Sequence, residues 1–291
     1  MGFLFRFIAR IPRRWLFAFG TFVGWTVWVL HVRRGVVMGN LRLAFPEKTE
    51  GERAEIARRT YLNLGQMIPD FLRVPYLTKG QLEQLFVYEG WDGYERAKAA
   101  GKGVIACTGH FGNFDLLAAA QTLRGIPVTM ITRRMGKSGA NDLWREARRR
   151  SGVEDLQVSK GETLRAATRA LKSGRVLGYV IDQNQPKRRA IFPTFFGVPA
   201  ATASTPALLA LRTGAAVIFA VSFPLGDGRH KVVVEGPVSV PDTGDRERDV
   251  LAFMQDLNDR LERFVRLHPD RWYWLHRRWK TRPDGEARPP V

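Results

Sequence analysis

The sequence predicts an α/β fold, a largely parallel sheet flanked by helices, preceded by an N-terminal apolar helix suited to a membrane. Three observations predict it. From about residue 101 short apolar runs alternate with helix-patterned stretches, Trp15 to Leu30 contains no Asp, Glu, Lys or Arg, and 46 Lys and Arg face only 28 Asp and Glu in 291 residues, a net charge of +18. That excess calls for an anionic partner, and charge alone leaves nucleic acid, acidic protein, phosphorylated metabolite and membrane surface open. The length excludes a small disulfide scaffold. The single cysteine, Cys107, supplies neither an internal disulfide nor a cysteine-based zinc site and reads as a small core residue.

Residues 1–34 read as a membrane anchor. They carry Arg6, Arg10, Arg13, Arg14, Arg33 and Arg34 without an acid, interleaved with Phe3, Phe5, Phe7, Trp15, Phe17, Phe19, Trp25 and Trp28. As a helix, Trp15 to Leu30 is roughly 24 Å long, short of the about 30 Å of a hydrocarbon core. A tilted interfacial helix or half-buried hairpin therefore rivals a spanning helix, with a buried core helix as the third reading. The run ends in His-Val-Arg-Arg without a small-x-small site, which argues against a cleaved signal peptide. Membrane attachment is the preferred reading.

Residues 35–100 read as helical. Arg34 to Phe45 stops before Pro46, and Lys48 to Glu52 opens a periodic run through Ile56, Tyr61, Leu64 and Ile68. Residues 101–268 form the α/β core. Its strands are Gly103 to Thr108, Pro127 to Thr132, Val176 to Ile181, Val217 to Phe223 and Lys231 to Glu235; its helices are Asp115 to Leu123, Ala140 to Arg150, Gly161 to Leu171 and Thr205 to Arg212. Strand and helix in alternation imply crossover connections and a sheet covered on both faces. Residues 269–291 are again basic and aromatic, with Arg271, Trp272, Tyr273, Trp274, Arg277, Arg278, Trp279, Lys280 and Arg282, a bilayer-interface composition.

In such sheets ligands bind at the carboxyl ends of the strands. Those ends carry His110, then Arg133, then Asp182 and Gln183. In His110-Phe-Gly-Asn-Phe-Asp115 the two ionisable groups are about 140° apart on one continuous helix and cannot meet. They can meet if His110 ends a strand, Gly112 turns the chain and Asn113 caps a helix holding Asp115 in its first turn. The pair would then be a general-base dyad, the carboxylate orienting the imidazole and stabilising its cation. The competing reading is a capping Asp115 beside an unrelated His110. No G-x-S-x-G elbow or H-E-x-x-H stretch is present, and His31, His230, His268 and His276 read as interfacial or surface residues.

Thr108-Gly-His-Phe-Gly-Asn-Phe-Asp115 resembles the H-x4-D/E block of the late lipid A biosynthesis (lauroyl/myristoyl) acyltransferases, related to the lysophospholipid and glycerol-phosphate acyltransferases. Three further blocks are similar in the same order: Ile131-Thr-Arg-Arg with Arg148-Arg-Arg-Ser-Gly152, Gly178-Tyr-Val-Ile-Asp-Gln183 with Phe195-Phe-Gly197, and Pro269 to Lys280. The resemblance spans nearly the whole chain. It implies a glycerol-phosphate acyltransferase-like fold and transfer of a fatty acyl group from acyl carrier protein or a coenzyme A thioester to a hydroxyl of a lipid A precursor. It also implies a bacterial inner-membrane location with a cytoplasmic catalytic region, and no metal or bound cofactor. The base activates the acceptor hydroxyl directly, so no protein nucleophile is required. An Arg at 134, where a Pro often follows the arginine, departs from the commonest second block and leaves acceptor identity open.

His110 and Asp115 are thus the candidate catalytic residues, and Asn113, Arg133, Arg148, Arg149, Asp182 and Gln183 the candidate substrate contacts. Arg133, Arg148 and Arg149 are expected to serve substrate phosphates or the thioester oxyanion, with structural pairing of Arg148 and Arg149 to Glu146 or Asp155 as the alternative. The anionic membrane surface is a further expected partner. Another glycolipid or phospholipid is the second acceptor reading. A non-catalytic basic protein binding membrane or nucleic acid is the remaining class; no nucleic-acid motif supports it, and nucleic acid is not an expected partner.

Overall fold

The computed structural model describes residues 7–8, 10–132, 139–157 and 163–286. After the helical residues Phe7, Ile8 and Arg10, the chain forms α1 (Arg13–Val29), α2 (Arg34–Ala44) and α3 (Glu50–Arg73). Thr49 and Glu52 close a capping box at the start of α3, where two otherwise orphaned backbone donors find side-chain acceptors. A short helix, α4 (Lys79–Leu85), leads into the sheet region.

That region runs β1 (Phe86–Glu89), α5 (Trp91–Ala99), β2 (Val104–Thr108), α6 (Phe114–Leu123), β3 (Val128–Thr132), α7 (Gly139–Arg150), β4 (Glu154–Gln157), α8 (Thr163–Lys172) and β5 (Val176–Val180). After four two-residue strands, β6 (Ala190–Ile191), β7 (Thr194–Phe195), β8 (Val198–Pro199) and β9 (Thr202–Ala203), come α9 (Thr205–Thr213), β10 (Ala216–Pro224), β11 (His230–Val238) and α10 (Arg246–Leu267). Among the described residues the main sheet has seven strands in the order β1-β11-β10-β2-β5-β3-β4. Only the β10–β11 pair is antiparallel. The predicted largely parallel α/β sheet is therefore present.

Two expectations need correcting. The stretch read as wholly helical to residue 100 contains β1, an edge strand parallel to β11. Nor is the basic aromatic C-terminal block laid out for a bilayer: Trp272, Trp274, Trp279 and Arg278 are each at most 1% exposed. The Arg278 guanidinium donates to the Ala201 carbonyl (2.8 Å) and the Thr202 hydroxyl (2.7 Å), and the three indoles pack with Phe195 and Phe196 in the core. Aromatics and arginines that would suit an interface suit a core equally when each polar tip finds an acceptor.

α1 lies on α3 at very close range. A Cβ at Gly65 would stand 2.0 Å from the Gly20 carbonyl oxygen, and one at Gly24 2.2 Å from that of Tyr61. Only glycine lets the two backbones approach so closely. The opposite side of α1 is apolar and open, with Trp15, Phe19 and Phe22 at least 60% exposed. Among the described residues no single helix is long and apolar enough to cross a membrane; α1 and α2 together reach that length but are bent by 89°.

Candidate active site

β2 and β5 are sheet neighbours, with Thr108 opposite Val180, so the loops leaving their carboxyl ends emerge side by side. The first carries His110 and the second Asp182. Gly109 has the space that this needs, since a Cβ there would stand 3.2 Å from an Asp182 carboxylate oxygen and closer still to Leu261 of α10. Gly112 then turns the chain with φ +55°, where a Cβ would fall 1.7 Å from the Ser222 carbonyl oxygen. Asn113 caps α6 by accepting from the Leu116 amide (3.1 Å), as the turn predicts.

The Asp182 carboxylate accepts three hydrogen bonds. His110 donates to it from Nδ1 (2.7 Å) and from its backbone amide (2.7 Å), and the Trp272 indole donates from Nε1 (2.7 Å). Asp182 is only 2% exposed. Burial by itself would raise its pKa, but the His110 charge and the donated hydrogen bonds outweigh burial and bring it down to about 2. An ionised carboxylate only accepts, so Nδ1 carries a proton, and in the neutral ring the lone pair is on Nε2. Nε2 is 3.1 Å from the Gln183 amide nitrogen, which donates to it. The His110 side chain as a whole is 22% exposed. Phe114 stands edge-on to the ring at 5.1 Å, and Tyr273 flanks it at 6.0 Å.

The C-terminal segment holds this geometry in place. The Tyr273 amide donates to the His110 carbonyl (3.0 Å) and the Gly112 amide to the Arg271 carbonyl (2.8 Å). His276 Nε2 accepts from the Asn184 amide (2.8 Å), fixing the loop that carries Asp182 and Gln183. Asn40 on α2 in turn donates to the carbonyls of Trp274 and His276, both at 2.7 Å.

The structure re-pairs the expected residues. His110 and Asp115 do not meet. Asp115, 2% exposed, faces α7, where it accepts from the Trp144 indole (2.8 Å) and from Arg148 (2.7 Å). Asp182, expected to touch substrate, is instead the buried partner of His110. Asn113 is also closed to substrate, because its amide donates to the Met67 carbonyl (3.0 Å) while its oxygen caps α6. Arg148 follows the structural alternative, bridging Asp115 and Asp155, and Arg149 pairs with Glu146. Gln183 does reach the site. Arg133 lies outside the described residues. Trp272 and His276 were read as interfacial or surface residues; their signal was their place in the fourth block of the resemblance.

A histidine oriented by a buried carboxylate can remove a proton from a hydroxyl that reaches its second nitrogen. Comparison with known proteins narrows the chemistry. Residues 2–281 match the family described as bacterial lipid A biosynthesis acyltransferase. The chain is 24% identical over 299 residues to the Escherichia coli (strain K12) lipid A biosynthesis palmitoleoyltransferase, covering 95% of this chain and 94% of that one. It is 26% identical to the lipid A biosynthesis lauroyltransferase of the same organism (87% and 81% covered). It is also 26% identical to the phosphatidylinositol mannoside acyltransferase of Mycobacterium tuberculosis (strain ATCC 25618 / H37Rv), with 74% and 67% covered.

Proposed function

Because the chain belongs to the bacterial lipid A biosynthesis acyltransferase family and is an acyltransferase, we propose that it moves a fatty acyl group from a thioester to a hydroxyl of a lipid A precursor, with His110 as the base and Asp182 as its partner. The observation that carries this reading is the 2.7 Å bond between His110 Nδ1 and the buried Asp182 carboxylate, which leaves Nε2 as the basic nitrogen.

The acceptor hydroxyl takes the place of the Gln183 amide at Nε2 and gives up its proton there. Its oxygen bonds to the thioester carbonyl carbon; the carbon–sulfur bond then breaks, and the departing thiolate takes the proton back from Nε2. Asp182 stabilises the imidazolium in between. The thioester is that of acyl carrier protein or coenzyme A. The freed Gln183 amide is then positioned to donate to a carbonyl oxygen of the bound substrates.

The open aromatic side of α1 and its flanking arginines support attachment to an anionic bilayer surface. With a lipid acceptor and a thioester donor, that corresponds to a bacterial inner membrane with the catalytic region on the cytoplasmic side. Full-length protein recovered wholly in the soluble fraction at physiological salt would refute the attachment. For the reaction, mass spectrometry of lipid A from a strain lacking this protein should show a species short of one acyl chain, restored by the wild-type chain and not by His110→Ala. Unaltered lipid A with a changed glycolipid or phospholipid would move the acceptor to that class, the direction in which the mannoside acyltransferase relative points.

A further inference from the structure

The link between α1 and α2 holds two residues in the left-handed region, His31 at φ +58° and Arg33 at φ +57°. Both are exposed, and that backbone state favours glycine. At His31 the side chain has a use: its Nε2 lies 2.6 Å from Arg34, which also stacks on Trp28 at 4.2 Å. Arg33 has none. It makes no hydrogen bond, ion pair or ring contact among the described residues, and no acid precedes Glu47 in the sequence.

The link is pinned beside the site. Tyr61 on α3 donates its hydroxyl to the Val32 carbonyl (2.6 Å), and α2, which follows Arg33 directly, holds the Trp274 and His276 carbonyls through Asn40. In that C-terminal segment Tyr273 places its amide on the His110 carbonyl (3.0 Å) and its ring 6.0 Å from the imidazole. Burial raises the pKa of the Tyr273 phenol and the Arg33 charge opposes it; burial lowers that of the His276 ring, with Arg33 among the charges that add to the lowering. One guanidinium is therefore close to two rings of the segment that brackets His110. The Tyr273 hydroxyl is likewise without a partner among the described residues and is not enclosed.

With the acyl-transfer reading above as its premise, we propose that Arg33 and the Tyr273 hydroxyl bind a phosphate of the acceptor lipid at the edge of the His110 site, directing the acceptor hydroxyl towards Nε2. The planar fork of a guanidinium matches phosphate oxygens, and a neutral phenol adds a donor. Arg148 and Arg149, the cations that the sequence offered for this task, are taken by carboxylates. The acceptor, not the thioester donor, is the source, because Val29, Leu30 and Val32 just before Arg33 are exposed and apolar. A phosphate beside apolar chains is what an amphiphile presents, whereas the phosphates of a thioester carrier are separated from its acyl chain by a polar arm.

The test uses full-length protein in micelles of a neutral detergent, with an acyl-thioester donor and a phosphorylated lipid A precursor or the same lipid after phosphatase treatment. Arg33→Gln should raise the apparent acceptor constant for the phosphorylated lipid by roughly 10- to 100-fold, as for charge-assisted hydrogen bonds, with kcat nearly unchanged. Tyr273→Phe should raise it by about threefold to tenfold. Arg33→Gly, which relaxes the backbone, should raise the melting temperature and still raise the constant as Gln does. With the dephosphorylated lipid the Arg33 variants should match wild type. Arg14→Gln, an exposed cation at the far end of α1, is the reference. A rise for Arg33→Gln no larger than for Arg14→Gln, or equally large without the phosphates, would overturn the proposal, and a rise confined to the donor constant would overturn the acceptor assignment. Lipid binding read by tryptophan fluorescence in the same micelles needs no turnover. An Arg33-dependent affinity with an inactive wild type would overturn only the acyl-transfer reading, and an Arg33-independent affinity would overturn the phosphate site.

Discussion

His110 and Asp182 are 72 residues apart in sequence and 2.7 Å apart in the fold, joined because β2 and β5 are neighbours in the sheet. Under the proposed mechanism Asp182→Asn keeps the side-chain shape but removes the charge that would stabilise the imidazolium, so it should lower acyl transfer by roughly 10²- to 10⁴-fold. His110→Ala should lose at least as much. If the two side chains act as one unit, as proposed, the double variant should be no slower than the worse single one. Near-wild-type turnover of a folded Asp182→Asn would remove Asp182 from the mechanism.

The Asp115–Arg148 pair predicts a different outcome. Both side chains are nearly buried, and Arg148 also reaches Asp155. Removing one partner strands a buried charge, at a cost of roughly 3–5 kcal/mol. Arg148→Met should therefore lower the denaturant midpoint sharply, and adding Asp115→Asn should recover part of the loss. A double variant as unstable as the sum of its singles would mean that the two groups do not depend on each other. Asp115→Asn alone should lose stability before it loses turnover per folded molecule; a folded but inactive protein would return Asp115 to the chemistry.

The crossing of α1 and α3 can be tested by a single methyl group. Ala at position 65 would press against the backbone carbonyl of Gly20, which no side-chain rotation relieves. Gly65→Ala should cost about 1–3 kcal/mol and speed proteolysis at the exposed Leu30 to Val32 link between α1 and α2, since the helix would separate from its support. An unchanged melting temperature and cleavage rate would show that α1 is not held by this contact.

The central strands were legible in the sequence because they are buried on both faces and read as unbroken apolar runs. The edges were not. β1 and β4 are four residues each and carry Glu89, Glu154 and Asp155, the short charged form that edge strands take. α10 has Val250, Phe253, Met254, Leu257, Leu261 and Phe264 at helical spacing, a periodicity that a reading centred on strands and their crossovers passes over. At the site, the rule that ligands gather at strand ends brought His110, Asp182 and Gln183 to one edge, whereas the H-x4-D spacing paired His110 with Asp115, a carboxylate that the fold places against Arg148. Spacing reports which groups are close along the chain, whereas the pairing depends on strand order: β5 inserts between β2 and β3, and no local pattern states that.

His276 gives the site region a pH dependence. Its Nε2 accepts from the Asn184 amide, which only the neutral ring can do. Burial lowers its pKa from 6.5 to about 4, with the Asp182 charge opposing. Between those values the unfolded chain binds the proton that the folded one refuses, so stability rises with pH through this window and falls as pH drops from 6.5 towards 4. The effect should be on the order of 1–3 kcal/mol. Asp182 is distinguishable, because its lowered pKa stabilises above its ordinary value of 3.8 and is lost only as pH falls towards about 2. His268, lowered by burial, slopes in the same direction as His276 and serves as an internal background. His276→Gln keeps an acceptor for the Asn184 amide without a titrating ring, so unfolding curves from pH 4 to 7 should be flatter than wild type. Their difference should vanish above pH 7 if the replacement packs well. A slope identical to wild type would assign the pH dependence elsewhere and leave His276 a hydrogen-bond acceptor with no titration of its own in this range.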